Sequence, residues 1–394
     1  MPGMTKEQGI EQVFSGGGHV VILGAGASIA STLRNSEPSG KKLPSMDNFI
    51  ETLGLNDLLD EIPLTTRSNN FEKLYSTLHK IDPNSSVIKE IETRVRYYFE
   101  NMSLPDEPTI YDYLVLSLRS KDLIATFNWD PFLYQAWCRS REVTNDLPYL
   151  AFLHGCVALG YSKEDKKCGP ACMYARRDGG YFEPTRLLYP VEQKNYNDDE
   201  FIKHEWTRLK YWLSKESGTV RVTIFGYGAP TSDVEAVSLL KNAWGTSEER
   251  SMEQFEIIDI TTEEKLRKRW DEFIHSHHYD ITDEYFGSVL AFNPRRTSES
   301  YFCHYLPSSP SEAFRESNPI PSNFKTLQEL WNWHKPLIDA EIKINAISKK
   351  ISINTNKKVL NKRYKKKGKT KKKTNQEITE YWLRRRRSKR TRIK

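Results

Sequence analysis

An amide, a carboxylate and an imidazole stand at the ends of short apolar runs in this chain. Asn128 and Asp130 lie in Thr126-Phe127-Asn128-Trp129-Asp130, and His154 precedes Gly155. An amide offers a donor pair and one acceptor, enough to orient a water molecule. A carboxylate accepts hydrogen bonds from an amide, and an imidazole takes up a proton near neutral pH. A further stretch, Gly24-Ala25-Gly26-Ala27-Ser28, directly follows Val20 to Leu23. Small residues between a buried strand and a helix let backbone N–H groups approach a pyrophosphate, where the helix dipole favours negative charge. Gly226-Tyr227-Gly228, ahead of Ser232 and Asp233, forms a second such turn. Plainer readings stand beside these. Asn128 and Asp130 could simply cap a helix that Pro131 opens, Ser232 and Asp233 could be an N-cap pair, and His154 could be a turn histidine. The first turn also lacks the third glycine of a full Gly-x-Gly-x-x-Gly fingerprint.

Strands and helices must position these groups. Val20 to Leu23, Asp122 to Thr126, Tyr149 to Leu153, Thr219 to Phe225 and Gln254 to Ile260 read as short buried or β-branched strands. Helical patterns fall between them: Phe132 to Trp137, Phe201 to Lys215, Asp233 to Trp244 and Thr262 to His275, with a short amphipathic stretch over Lys6 to Phe14. Alternating strands and helices predict an α/β fold with a Rossmann-like parallel sheet covered on both faces. In such sheets a ligand lies beyond the carboxyl ends of the strands, where all these polar stretches fall. A helical subdomain is expected as an insertion at about 49–118, and an irregular, cysteine-containing insertion at about 156–198. The expected organisation is one nucleotide-binding domain over 1–292, a loop and closing helix over 293–353 with a kink near Pro336, and a basic, disordered tail over 354–394.

Charge is divided unevenly. From Asn356 to Lys394 there are 19 Lys or Arg against Glu377 and Glu380, a net of +17; the whole chain carries +7, so the body carries −10. Such a tail can contact phosphate backbones non-specifically, although few aromatics interleave for base stacking. No apolar run approaches membrane-spanning length, and Met1 to Gly18 lacks a secretory pattern. Five cysteines in 394 residues fit a reducing, cytoplasmic compartment rather than a disulfide scaffold.

Taken in order, Gly24-Ala25-Gly26-Ala27-Ser28, Thr126-Phe127-Asn128-Trp129-Asp130, His154-Gly155 and Gly226-Tyr227-Gly228 resemble the motif series of the sirtuins, over roughly residues 15 to 265. The sequence is most similar to the sirtuin-like NAD hydrolase domains of bacterial antiphage systems. That resemblance implies NAD as substrate, with Asn128 and His154 catalytic and Asp130 on the nicotinamide amide. It puts Gly24, Ala25, Gly26 and Ser28 on the phosphates, and Gly226, Tyr227 and Ser232 at the ribose and adenine end. It also implies a defence effector held inactive until assembled, hence a homo-oligomer or an activating partner subunit.

Two departures from ordinary sirtuins weigh against a protein deacylase. The cofactor-loop sequence Gly-Ile-Pro-x-Phe-Arg is absent, and Lys42-Leu43-Pro44-Ser45-Met46 stands nearby. Where sirtuins carry two cysteine pairs, this chain has Cys156 and then Cys168 and Cys172, a tetrahedral site one ligand short. No metal is therefore expected. The alternatives carried forward are an NAD-dependent deacylase and a non-catalytic NAD or ADP-ribose binding module.

Overall fold

The computed structural model describes residues 5–59, 62, 67–174, 179–191, 196–228, 234–246, 248–250, 253–271, 273–274, 279–302 and 318–347. Met1–Leu337 forms one compact unit. A second begins at Ile338, and its described residues, 338–347, are helical.

The first unit opens with α1 (Lys6–Glu11), started by a capping box between Thr5 and Gln8. β1 (Gly18–Leu23) follows, buried along its whole length. Then come α2 (Ala25–Ser31), α3 (Phe49–Thr52), α4 (Asn56–Leu59), α5 (Phe71–Ile81), α6 (Ser86–Glu100) and α7 (Ile110–Leu116), all before β2 (Leu123–Thr126). Asn70 caps α5 through Lys73 N, and Ser85 caps α6 through Ile88 N. The two present the stripes Phe71, Leu74, Tyr75, Leu78 and Ile88, Ile91, Val95, Phe99 to the core. Ile81, which the apolar spacing puts on the buried face of α5, is instead exposed at the helix end.

After β2 the chain runs through α8 (Phe132–Ser140), β3 (Tyr149–Phe152), β4 (Leu159–Ser162), β5 (Lys167–Pro170), β6 (Glu183–Pro184) and α9 (Glu200–Leu213). It finishes the sheet with β7 (Thr219–Phe225), α10 (Val234–Trp244), β8 (Gln254–Ile258), α11 (Glu263–Trp270) and β9 (Tyr279–Thr282). The main sheet has six strands in the order β3-β2-β1-β7-β8-β9, and every pairing is parallel. This is a Rossmann-like α/β fold. Both faces are covered, so the central strands are apolar throughout rather than alternating; Val20, Val21, Ile22 and Leu23 are all buried. Strand order reverses beside β1: the chain goes out through β2 and β3, then returns to β7 on the other side. That reversal leaves a crevice at the carboxyl ends of β1 and β7.

Three details differ from the sequence reading. β9 is a sixth strand that the pattern does not announce; it has four half-buried residues at the sheet edge. The stretch after Cys156 is not irregular, because β5, β4 and β6 form an antiparallel three-stranded sheet. Its glycines look like loop residues, yet a Cβ on Gly169 would lie 2.2 Å from the Phe182 ring, so the glycine makes room for that ring. Helix α11 stops at Trp270, five residues before His275.

Residues 293–302 are also more tightly held than their composition suggests. The chain continues from α12 (Val289–Phe292) into α13 (Thr297–Ser300), whose Glu299 is buried and paired with Arg119. Arg221 donates to Thr297 O at 2.8 Å, tying β7 to the same turn. Residues 327–337 are helical, and the helix continues through Pro336. Among the described residues, no helix is long and apolar enough to cross a membrane.

Candidate active site

The turns after β1 and β7 are joined backbone to backbone. Gly24 N donates to Phe225 O, and Gly26 N donates to Gly226 O, each at 3.0 Å. Gly226 adopts a φ of +59°, the left-handed region. A Cβ on Gly24 would lie 2.5 Å from Gly226 O, one on Gly26 2.8 Å from Gly226 Cα, and one on Gly226 2.3 Å from Ala27 N. The glycines are thus required for the mutual approach of the two turns, whatever ligand lies beyond them.

Asn128 is placed by the end of β2 and held by the first turn. Its Nδ2 donates to Gly24 O at 2.8 Å and to Ser28 Oγ at 2.7 Å, with Tyr111 OH at 3.3 Å. Gly24 O can only accept, which fixes the orientation of the amide. Oδ1 is left as the acceptor available to a ligand or a water. Ser28 is buried. Its hydroxyl donates to Asp130 Oδ2 at 2.7 Å and lies 2.6 Å from Tyr111 OH. The other oxygen of Asp130 accepts from Phe132 N at 3.1 Å, so Asp130 does steer the chain into α8 while also facing the site. Burial pushes the Asp130 carboxyl up to about 6, against the stabilising bonds from Ser28 and Phe132 N. Burial likewise raises the Tyr111 phenol well above its usual value, and the nearby Asp130 adds to this.

His154 follows β3. Gly155 then turns with a φ of +81°, where a Cβ would sit 2.0 Å from Arg186 O. This close passage fixes segment 186–188, and Leu188 N donates to His154 O at 2.9 Å. The imidazole packs edge-on against Phe127, with centroids 4.8 Å apart, and its Nε2 lies 3.2 Å from Tyr196 OH. On its other side Phe127 stacks on Tyr227 at 4.2 Å. The ends of β2, β3 and β7 are therefore joined by one aromatic row.

These groups enclose a cavity of about 310 Å³. Gly24, Ala25, Ser28, Asn128, Asp130, His154, Gly226 and Tyr227 all line it, together with Leu43, Pro44 and Met46 of the loop before α3. Gly26 does not. It lines a neighbouring space of about 410 Å³ beyond β7, β8 and β9, with Asp259, Asp283 and Glu284 at its edge. Gly226 borders both spaces. Ser232 lies outside the described residues, as do Asp233 and the basic tail.

Sequence reasoning assigns no role to Tyr111, Tyr196 or Glu72. The only local sign of Tyr111 was the capping pair Thr109 and Asp112 that starts its helix. Tyr196 closes the unusual polar-aromatic stretch Leu188 to Tyr196, and Glu72 lies in an ordinary amphipathic helix.

The cysteines are separated in character. Cys156 is fully buried beside Asp130, with its Sγ 3.4 Å from Asp130 O and its thiol pushed up to about 12 by burial. Cys168 and Cys172 are exposed on the small sheet and the turn after it. Among the described residues, no three His, Cys, Asp or Glu side chains group as a metal site.

No family model and no curated protein matches the chain. Solved structures with a similar chain path include a Sir2 homologue in complex with NAD, 12% identical with a TM-score of 0.35, covering 70% of this chain and 86% of that one. A sirtuin from work on substrate affinity is 12% identical with a TM-score of 0.35, covering 68% and 90%. Sir2 with a p53 peptide and NAD+ is 12% identical with a TM-score of 0.31, covering 68% and 89%. Likeness at this level is no guide to chemistry, which has to be argued from the site.

Proposed function

We propose that this chain hydrolyses NAD to nicotinamide and ADP-ribose. One observation carries the reading: Asn128, Asp130 and His154 line a single cavity at the β1/β7 crevice, with Asn128 Oδ1 left as an open acceptor. A dinucleotide needs two adjoining compartments, and the two spaces that share Gly226 suit its two halves. The pyridinium-ribose half would enter the space that holds Asn128 and His154. The adenosine half would extend over Gly26 toward β8 and β9.

The chemistry follows from these groups. The bond from the ribose anomeric carbon to the ring nitrogen breaks, its electron pair leaves with nicotinamide, and the sugar passes through an oxocarbenium-like state. Water forms the new bond to that carbon. Asn128 Oδ1 accepts a hydrogen bond from this water and aims its oxygen, while His154 takes the proton the water loses. Asp130, ionised in the main above about pH 6, accepts from the carboxamide of the leaving ring. Burial of Ser28, Tyr111 and Asp130 keeps the amide of Asn128 rigid, so little reorganisation is needed at the moment of reaction. The similarity of the four motifs to antiphage sirtuin-like domains supports a role as a defence effector, active on assembly with further copies or a partner subunit.

The test is product analysis of the full chain incubated with NAD, with and without an acetyl-lysine peptide. Release of nicotinamide and free ADP-ribose in equal amounts without peptide supports hydrolysis. Turnover that requires peptide and yields acetylated ADP-ribose means a deacylase. Saturable NAD binding without either product means a binding module.

A further inference from the structure

The inserted helices contribute three side chains to the cavity that holds Asn128 and His154: Phe49 of α3, Glu72 of α5 and Phe99 of α6. Two are apolar and one is a carboxylate. Glu72 is half-buried in the first turn of α5. Its neighbour Phe71 is fully buried and stacks on Phe49 with centroids 4.1 Å apart, which anchors the start of the helix. A first-turn acid is favoured by the helix dipole, but Asn70 already caps this helix through Lys73 N, at 3.2 Å. Among the described residues Glu72 has no hydrogen-bond or ion-pair partner. Among the described residues no Lys or Arg lines the cavity, and the oxygens of Asp130 accept bonds from Ser28 and Phe132 N. Of the two carboxylates among the described lining residues, Glu72 is thus the one without a polar partner.

We propose that Glu72 makes the cavity select a cationic aromatic ring over its neutral counterpart. This rests on the reading of the cavity as a pyridinium-ribose site. The ring of NAD carries a positive charge until its bond to ribose breaks, and the nicotinamide that leaves is neutral. A carboxylate on the wall holds the intact substrate and lets the product go. The aromatic walls, Phe49, Phe99, Phe127 and Trp129, keep water away, so the charge is felt more strongly than in bulk solvent.

The test uses two ring probes, 1-methylnicotinamide, a cation, and nicotinamide, its neutral counterpart. Each is titrated by calorimetry into the full chain as wild type, Glu72→Gln and Glu72→Asp. The wild type should bind the cation about tenfold more tightly, the effect of one charge pair in partly screened surroundings. Glu72→Gln should bring the two affinities within about twofold by weakening the cation alone, and Glu72→Asp should restore the preference. Damage to the fold would weaken both probes together, so the ratio is the readout. A wild type without preference, or a Gln variant that keeps the wild-type ratio, overturns the role of Glu72 and leaves the ring site standing. Failure of both probes to bind the wild type overturns the ring site and this inference with it.

Discussion

Replacing Gly226 by alanine tests the geometry on which the site depends. Two costs can be separated. Alanine at a φ of +59° pays for a left-handed backbone, about 1–2 kcal/mol. The added Cβ would also stand 2.3 Å from Ala27 N and 2.5 Å from Gly26 C, backbone atoms that cannot rotate away. Relieving such overpacking costs roughly a further 1–3 kcal/mol. Gly218 supplies the control, because it has a φ of +71° and nothing within 4 Å of its would-be Cβ. Gly218→Ala should therefore show only the first cost. In urea denaturation, Gly226→Ala should lie below Gly218→Ala by about 1–3 kcal/mol. It should also loosen the hold of Gly24 O on Asn128, so ligand binding in the cavity should weaken in Gly226→Ala and not in Gly218→Ala. Equal destabilisation of the two variants would refute the claim that the β1 and β7 turns are in backbone contact.

Other consequences are simpler to state. Ser28→Ala removes a hydroxyl that donates to Asp130 and bonds Tyr111 and Asn128, so it should destabilise the fold by about 2–3 kcal/mol. It should also move the Asp130 titration above about 6, because the bond from Ser28 favours the ionised form; a carboxyl NMR titration reads this directly. Asp130 and Glu256 should each contribute a loss of stability as pH rises from about 4 to about 7, set against a gain from buried His19, whose imidazole is held well below its usual range by burial. Burial lifts Asp130 to about 6 and Glu256 to about 7, whereas both ionise near 4 when unfolded, so over that window the folded chain binds more protons at these two groups. Each acid accounts for about 3 kcal/mol of the decline, and denaturation series on Asp130→Asn and Glu256→Gln should each show a shallower slope. Treatment with a chelator should leave the melting temperature unchanged, since Cys156 is enclosed beside Asp130 and Cys168 and Cys172 are exposed. A drop of several degrees would point to a structural metal.

Much of the fold is legible in the sequence because parallel strands buried on both faces appear as unbroken apolar runs. Val20 to Leu23 and Leu123 to Ala125 are such runs, and each ends where a polar motif begins. β9 escapes because its four residues are half-buried at the edge and mix Tyr279, Asp280, Ile281 and Thr282 without a clear period. The small sheet after Cys156 escapes because its glycines serve close packing around Phe182 and look like turn residues. At the site, groups adjacent to strand ends could be found, since strand ends converge in this architecture. Tyr111, Tyr196 and Glu72 reach the site from helices and a loop far along the chain, and only the three-dimensional packing reveals them. The division of the crevice was also hidden. Gly26 is one residue from Ala25, yet it faces the neighbouring space, because consecutive residues in the first turn of a helix point in different directions.

The central claim is that Asn128 and His154 act on one sugar carbon within one cavity. Its most direct test is the rate of nicotinamide release from NAD by the full chain, measured side by side for wild type, Asn128→Ala and His154→Ala. The account predicts measurable release by the wild type and a loss of at least about a hundredfold in each variant, with the fold intact by circular dichroism. Release at the same rate from all three proteins would contradict it.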